Sequence, residues 1–432
     1  MKLSYDYTTV FRESPDATGF SRAPLRIGDL FVFAVPLLQF FQVRLIGTLY
    51  GTDLLLLAAL PLVLPRGLRR LQQKQVIIVL ALGLLWLFAQ VVTDLMRESP
   101  PEDYLRGWSK IALTVTHFAT LWLLFRSSLR RFTLYGFGIC IGGILSCLIN
   151  PTDFFTFAPW KFGYATPVTL GLVLLISYFP KRYGTFVSVT LLLGMSALNL
   201  YLNFRSLALV CLLSAIYSHF RTRMRVSRRK TSVLQISLIL VIVILSIVGF
   251  QEIYMSAAEN GWLGVDAQSK LRDQTGAAGI LLGGRSEILA SGQAIIDSPI
   301  IGHGSWAKDP QYAAIMDERK AELGYKKARG DDSDLIPTHS YIFGAWVEAG
   351  IAGAVFWLWI LYLAVTMLLR TQGSATTLFQ SSFIAFLLCW NIVFSPYGAE
   401  QRFATTYFIV AIIMFRSMCA KRSEFRMEAL PN

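Results

Sequence analysis

Three side chains in this 432-residue chain have the chemistry to work on a phosphate ester: Arg205 in NFRSLAL, Arg285 in GGRSEIL and His339 in PTHSYIF. Arginine stays charged at any accessible pH and offers a planar fork that matches phosphate oxygens. A histidine, with an unperturbed pKa of about 6.5, can take a proton from a hydroxyl near neutral pH. Two forks suit a pyrophosphate. Together the three suit glycosyl transfer, in which a hydroxyl attacks a sugar carbon and a lipid pyrophosphate leaves with its growing charge on the arginines. Each such contact contributes about 3–4 kcal/mol at the transition state.

Each residue also has an ordinary reading. A single arginine at a helix end most often snorkels to the interface, and Arg285 can be a solvated residue paired with Glu287. His303, in GHG, reads as a loop residue. The chain has four histidines, and His117 and His219 lie in or beside apolar runs. A metal site needs three or four ligands at close spacing, which His303 and His339 lack, so neither a metal nor another cofactor is expected. Three more polar residues are candidates for substrate binding: Glu400 and Arg402 in SPYGAEQRF, and Glu348 inside the apolar stretch that follows His339. On one continuous helix Glu348 would lie about 13 Å from His339 on the opposite face, which makes it a network residue bonded to an arginine or a neighbouring span. Ala345, Ala349 and Gly353 recur every fourth residue and suit close helix contact.

The elements that must position these groups are membrane helices. Hydrophobic residues make up 54% of the chain and charged residues 16%, too little polar surface for a soluble protein of this length. Twelve apolar runs fall near 29–46, 49–65, 75–93, 108–126, 132–149, 163–179, 183–202, 204–220, 233–253, 340–369, 376–396 and 403–419. A run of about 20 residues crosses the hydrocarbon core as a helix. The seventh and eighth are separated by a turn at Asn199, Asn203 and Arg205. Taking the N-terminus and every second connection gives 24 Lys and Arg, against 6 in the interleaved short connections. That asymmetry places both termini in the cytoplasm. The fold class expected is therefore an all-α polytopic bundle of about twelve transmembrane helices with one long extracytoplasmic loop. Its parts are a cytoplasmic segment 1–28, nine spans in 29–253, the loop 254–338, three spans in 339–419 and a cytoplasmic tail 420–432.

The net charge of +13 then belongs to the inner membrane face rather than to a nucleic-acid surface, because residues 256–338 hold 9 basic and 12 acidic side chains. The first 28 residues show no apolar signal-peptide core, and the five cysteines form neither a CxxC pair nor a loop framework. Within the loop, GGRSEILASGQAIIDSP reads as an amphipathic helix started by Arg285, with Ile288, Leu289, Ile295 and Ile296 on one face. DPQYAAIMDERKAELG reads as a second helix with Pro310 in its first turn. KKARGDDSDL reads as a mobile polar stretch. This topology puts Arg205, Arg285, His339, Glu400 and Arg402 on the same outer side.

These residues resemble the O-antigen ligase and Wzy-type polysaccharide polymerase superfamily of bacterial envelope transferases. His339-Ser340, nine residues, then Gly350-Ile351-Ala352-Gly353 is similar to the pattern that ends that family's large periplasmic loop. GGRSEILASGQAIIDSPIIGHG is similar to the segment that opens it, and NFRSLAL to an outer arginine junction. The likeness covers about 160 residues, from Arg205 to Trp359, with hydropathy alone in the N-terminal half. Ser340 stands where asparagine is commonest, and NFRS lacks a small residue before arginine. The resemblance implies a GT-C-like fold in a bacterial inner membrane, with the periplasmic loop folded over a lipid-accessible cleft. It implies that Arg205 and Arg285 bind an undecaprenyl-pyrophosphate-linked oligosaccharide and that His339 is required for transfer, as the base and without a metal.

Polymerisation of repeat units is the reading preferred, since nothing in the chain is specific for a lipid A core acceptor. The partners expected are the lipid-linked donor, a glycan or lipid-core acceptor, the bilayer and other envelope polysaccharide assembly proteins, with no nucleic acid. Ligation to lipid A core is the alternative within the same chemistry. A lipid-linked glycan transporter or flippase is the alternative of another class, weakened because transporters gather polar residues near mid-membrane. A non-enzymatic scaffold would tolerate loss of Arg285 or His339.

Overall fold

The computed structural model describes residues 24–428 apart from 127, 177–183, 224–232, 276, 278, 280–282, 326–333 and 371–374. Each of the twelve apolar runs carries a helix, and among the described residues the β-structure is one antiparallel hairpin, Gln42–Arg44 with Thr48–Tyr50, and one isolated bridge, Lys308 with Leu335. Five helices are long and apolar enough to cross a membrane, by length and composition: Gly51–Leu71, Lys74–Met96, Leu129–Ile149, Ile351–Leu369 and Thr377–Phe394. Leu62, Leu84, Phe88 and Leu95 on the first two of these stand exposed. An apolar surface of that extent is costly in water and neutral against hydrocarbon. The fold is that of an all-α membrane-embedded protein.

Inside, an aromatic cluster joins the helices. Trp86 meets Trp357 with ring centroids 5.7 Å apart, and Tyr341, Trp357 and Tyr397 contact one another pairwise at 4.8 Å. Such tilted and edge contacts add about 0.5–1.5 kcal/mol each beyond burial. At one end of the bundle Gln73 donates to Ser417 Oγ at 2.7 Å, and Trp122 Nε1 to the Arg70 carbonyl at 3.0 Å. The long loop closes over the other end. There Glu287–Asp297 and Pro310–Glu322 share a small core of Ala290, Ala294, Tyr312 and Ile336 with Val347 of the Tyr341–Ala349 helix.

Several sequence expectations are revised. The first apolar run, 29–46, is not one span: Ile27–Leu37 is helical, Leu38–Phe40 is one 3-10 turn, and the chain then enters the hairpin. The helix of the ninth run continues to Glu259, past the expected boundary at 253, and a further loop helix, Val265–Gln274, follows it. The next helix begins at Glu287, so Arg285 lies just before it rather than in its first turn. Its buried face is Ala290, Ser291 and Ala294, while Ile288 and Ile296 are exposed. Small residues win that face because they let the Pro310–Glu322 and Tyr341–Ala349 helices approach closely. In Pro310–Glu322, Pro310 does occupy the first turn, capped by Asp309, whose side chain accepts from Gln311 N. The polar stretch KKARGDDSDL falls mostly on 326–333, outside the described residues. The last helix runs from Gln401 to Glu428, so the 420–432 tail begins inside it.

The largest revision concerns the run 340–369. It is two helices, Tyr341–Ala349 and Ile351–Arg370, broken at Gly350 with φ of +64°. Ser340 caps the first, its Oγ accepting from Phe343 N at 3.3 Å. The chain folds so tightly at the break that a Cβ on Gly353 would meet the Ala345 carbonyl at 2.3 Å. The small-residue stripe therefore packs these two helices on one another at the break. Glu348 precedes the break, so the helix that carries it is unbroken back to the Ser340 cap beside His339.

Candidate functional site

Two sequence segments meet because their glycines fit each other. Gly302, with φ of +87°, has no room for a Cβ, which would lie 2.6 Å from Gly350 N; a Cβ on Gly350 would lie 1.9 Å from the Ile300 carbonyl. His303 N donates to the Val347 carbonyl at 2.7 Å and Gly304 N to that of Glu348 at 3.1 Å. From the other side, Thr93 and Arg97 at the end of Lys74–Met96 clamp the same turn. Thr93 Oγ1 donates to the Ile301 carbonyl at 2.6 Å and Arg97 Nε to that of Gly302 at 3.0 Å. His303 is spent on structure: Nε2 lies 2.8 Å from the Ala294 carbonyl and the ring packs on Tyr312. Thus the loop-opening segment is locked against the helix that follows His339.

That lock gathers charge. His339 Nδ1 lies 3.9 Å from Glu287 Oε1, too far for a hydrogen bond and close enough to favour an imidazolium. Arg285 donates to its neighbouring Gly284 carbonyl at 2.7 Å, while its Nε is buried without a hydrogen-bond partner among the described residues. The same holds for Glu287 Oε2. Arg205 starts its helix after the turn at Asn203, donates to Gln274 Oε1 at 2.7 Å and lies over the Tyr254 ring at 4.7 Å. Lys161, in the π-helical turn Trp160–Tyr164, completes the group. Burial and the neighbouring charges of Lys270, Arg205 and Arg285 bring its ammonium down to about 8. Burial also holds the His339 imidazole below its ordinary value; Glu287 opposes this, and Arg285 and Lys161 reinforce it. These influences together favour the neutral imidazole. Burial depresses Arg285 as well, with Arg205 adding to it and Glu287 opposing.

Beside His339 opens a cavity of about 470 Å³, within the range of small-ligand sites. Glu287, His339 and Glu348 all line it. Glu348 Oε2 accepts from Lys110 Nζ at 2.5 Å, a partner on the neighbouring Pro101–Phe125 helix. No family model and no curated protein matches this chain. Among the described residues no three His, Cys, Asp or Glu side chains are grouped to hold a metal ion.

The site thus places Arg285 near His339 and Arg205 near Arg285, with Glu348 lining the same cavity as His339. Glu400 is exposed, beside Tyr50, and does not line the cavity. Arg402 is buried elsewhere: its Nη2 donates to Asp53 Oδ2 at 2.8 Å, and His117 Nε2 lies 3.0 Å from Asp53 Oδ1. This pair joins the Gly51–Leu71, Pro101–Phe125 and Gln401–Glu428 helices. Asp53→Ala would leave the Arg402 guanidinium buried and unpaired, a loss of about 3–5 kcal/mol. We expect a large drop in folded yield and thermal midpoint in detergent, recovered in large part by adding Arg402→Leu. If the double variant is as unstable as Asp53→Ala, the pair is not what holds these helices.

Sequence reasoning missed Glu287, Lys161 and Lys110 as site residues. Glu287 had been considered only as a partner for Arg285. Lys161 left one faint signal, a lone cation in the aromatic run DFFTFAPWKFGY between two apolar segments.

Proposed function

We propose that this chain is a glycosyltransferase that moves a glycan from a polyprenyl pyrophosphate to an acceptor hydroxyl in surface polysaccharide synthesis. The observation that carries the reading is the grouping of Arg205, Arg285 and Lys161 at one end of an apolar bundle, with Arg285 and Lys161 near enough to His339 to act on its charge. The acceptor oxygen attacks the sugar carbon that bears the pyrophosphate. The new C–O bond forms as the bond to phosphate oxygen breaks, and the bonding pair leaves with the pyrophosphate. The acceptor proton passes to His339, and the Glu287 carboxylate stabilises the imidazolium that results. Arg205, Arg285 and Lys161 meet the charge that grows on the leaving group, where each preorganised contact is worth about 3 kcal/mol.

On this reading twelve helices span a bacterial inner membrane in a GT-C-like arrangement, with both termini cytoplasmic and residues 254–338 periplasmic. The 24 to 6 distribution of basic residues supports that orientation. The resemblance of the His339 and Arg285 segments to the ligase and polymerase superfamily supports the donor. Polymerisation remains the preferred outcome. The test is the purified chain in liposomes with a polyprenyl-pyrophosphate glycan, offered either a second donor or a core-lipid acceptor. Lengthened lipid-linked chains with release of polyprenyl pyrophosphate are expected. A single capped core lipid would make it a ligase, and absence of any transfer would refute the reading.

A further inference from the structure

The charges near His339 are sorted into two groups. Arg205, Arg285 and Lys161 form a positive group, of which Arg285 and Lys161 act on His339. None of the three lines the cavity, whose charged walls are Lys110, Lys320, Glu287 and Glu348, two of each sign. A space whose wall charges cancel suits a neutral polyol better than a phosphate. A lipid tail would strand the Lys110–Glu348 pair in hydrocarbon at a cost of several kcal/mol.

One wall residue is unusual. Trp306 lies on the cavity, is 40% exposed and sits at φ of +52°. A bulky residue in that region is strained and persists only where its surroundings hold it. Here they do. Ser305 N and Oγ donate to the two Asp94 carboxylate oxygens at 2.6 and 2.7 Å. Asp94 also accepts from Ser99 Oγ and Trp108 Nε1, both at 2.8 Å. After Trp306, the Ala307 carbonyl accepts from Ile336 N at 3.0 Å, which ties the turn to the strand of chain leading to His339. The fold therefore spends strain to present an indole at the cavity that His339 lines.

We propose that this cavity is the acceptor's sugar site, in which Trp306 meets the C–H face of a sugar ring and the Lys110–Glu348 pair bonds its hydroxyls. The proposal rests on the glycosyl-transfer reading. It adds that donor and acceptor occupy separate places near His339, the donor pyrophosphate on the positive group and the acceptor sugar in the charge-balanced cavity. A sugar has an apolar face and a rim of donors and acceptors, which is what an exposed indole and a buried ion pair together match. Asp94 is a positioning residue for Trp306.

The experiment uses the full chain in nanodiscs. Its probe is the repeat-unit oligosaccharide released by mild acid from the lipid-linked intermediates of cells lacking this chain. Binding is read by calorimetry, and transfer is read with the intact lipid-linked donor and the free oligosaccharide as acceptor. Trp306→Gly removes the ring and relieves the positive φ, so the thermal midpoint should hold or rise. We expect oligosaccharide affinity to fall and the acceptor KM to rise by about tenfold or more, with the donor KM unmoved. Trp306→Phe should lose less. An acceptor KM unchanged in Trp306→Gly, or a donor KM raised as much as that of the acceptor, overturns the proposal and leaves the transfer reading standing. Binding that depends on Trp306 without any transfer by the unaltered chain would keep the sugar site and remove the transferase.

Discussion

His339→Ala is expected to fold normally and to transfer glycan about 10²–10⁴-fold more slowly, the usual contribution of a positioned general base. On the proposed reading the loss should fall on kcat, because the arginines and Lys161 rather than the imidazole would meet the pyrophosphate. The pH profile gives a second measure. The imidazole is held below its ordinary value by burial, with Arg285 and Lys161 acting in the same direction. Protonated His339 cannot accept the acceptor's proton, so kcat/KM should fall with decreasing pH only below about 6.5. Glu287 is the neighbour that opposes this depression. Glu287→Gln should therefore move the acid limb further down while slowing the reaction, since the imidazolium formed in transfer loses its counter-charge. A purified His339→Ala that elongates glycan at the normal rate would end the assignment of the base.

What could be read beforehand divides along a physical line. The helices were legible because lipid demands length and apolarity, and those are sums over composition: every apolar run carries a helix. Arg205, Arg285 and His339 stood out because an isolated charge beside apolar sequence costs energy unless it has work to do. What was hidden was whatever depends on where the backbone turns. Gly350 looks in sequence like one more small residue on a helix face, and only its contact with Ile300 shows why the helix must stop there. That His339 and Glu348 line one cavity was hidden too, because its other walls come from distant segments that carry Lys110, Glu287 and Trp306. Arg402 shows the opposite failure. Beside Glu400 it resembles an outer ligand-binding arginine, but its partner Asp53 lies 349 residues away in sequence. No local pattern announces a pair of that separation. Glu287, Lys161 and Lys110 were obscured for the same reason, since each gains its role from a neighbour on another element.

Arg285 carries the second large effect. Its guanidinium lies at the start of Glu287–Asp297, with one N–H on the Gly284 carbonyl and Nε buried and unpartnered among the described residues. A buried donor without an acceptor is costly, and a phosphate oxygen would satisfy it. Arg285→Ala should lower kcat/KM for the lipid-linked donor by about 10²–10³, the loss found when one preorganised donor is removed from a growing anion. Arg285→Lys should recover little, because an ammonium supplies charge without the fork. The alkaline limb separates this role from a merely structural one. Lys161 is brought to about 8 by burial and by Lys270, Arg205 and Arg285. It is charged below that pH and neutral above it, so donor capture should decline as pH rises through 8. Removing the Arg285 charge relieves Lys161 and should raise its pKa. In Arg285→Ala the alkaline limb should therefore shift upward, while in Arg285→Lys, which keeps the charge, it should stay near its original place. Were Arg285→Lys fully active, or the limb of Arg285→Ala unmoved, the pyrophosphate would have to be held by groups other than these.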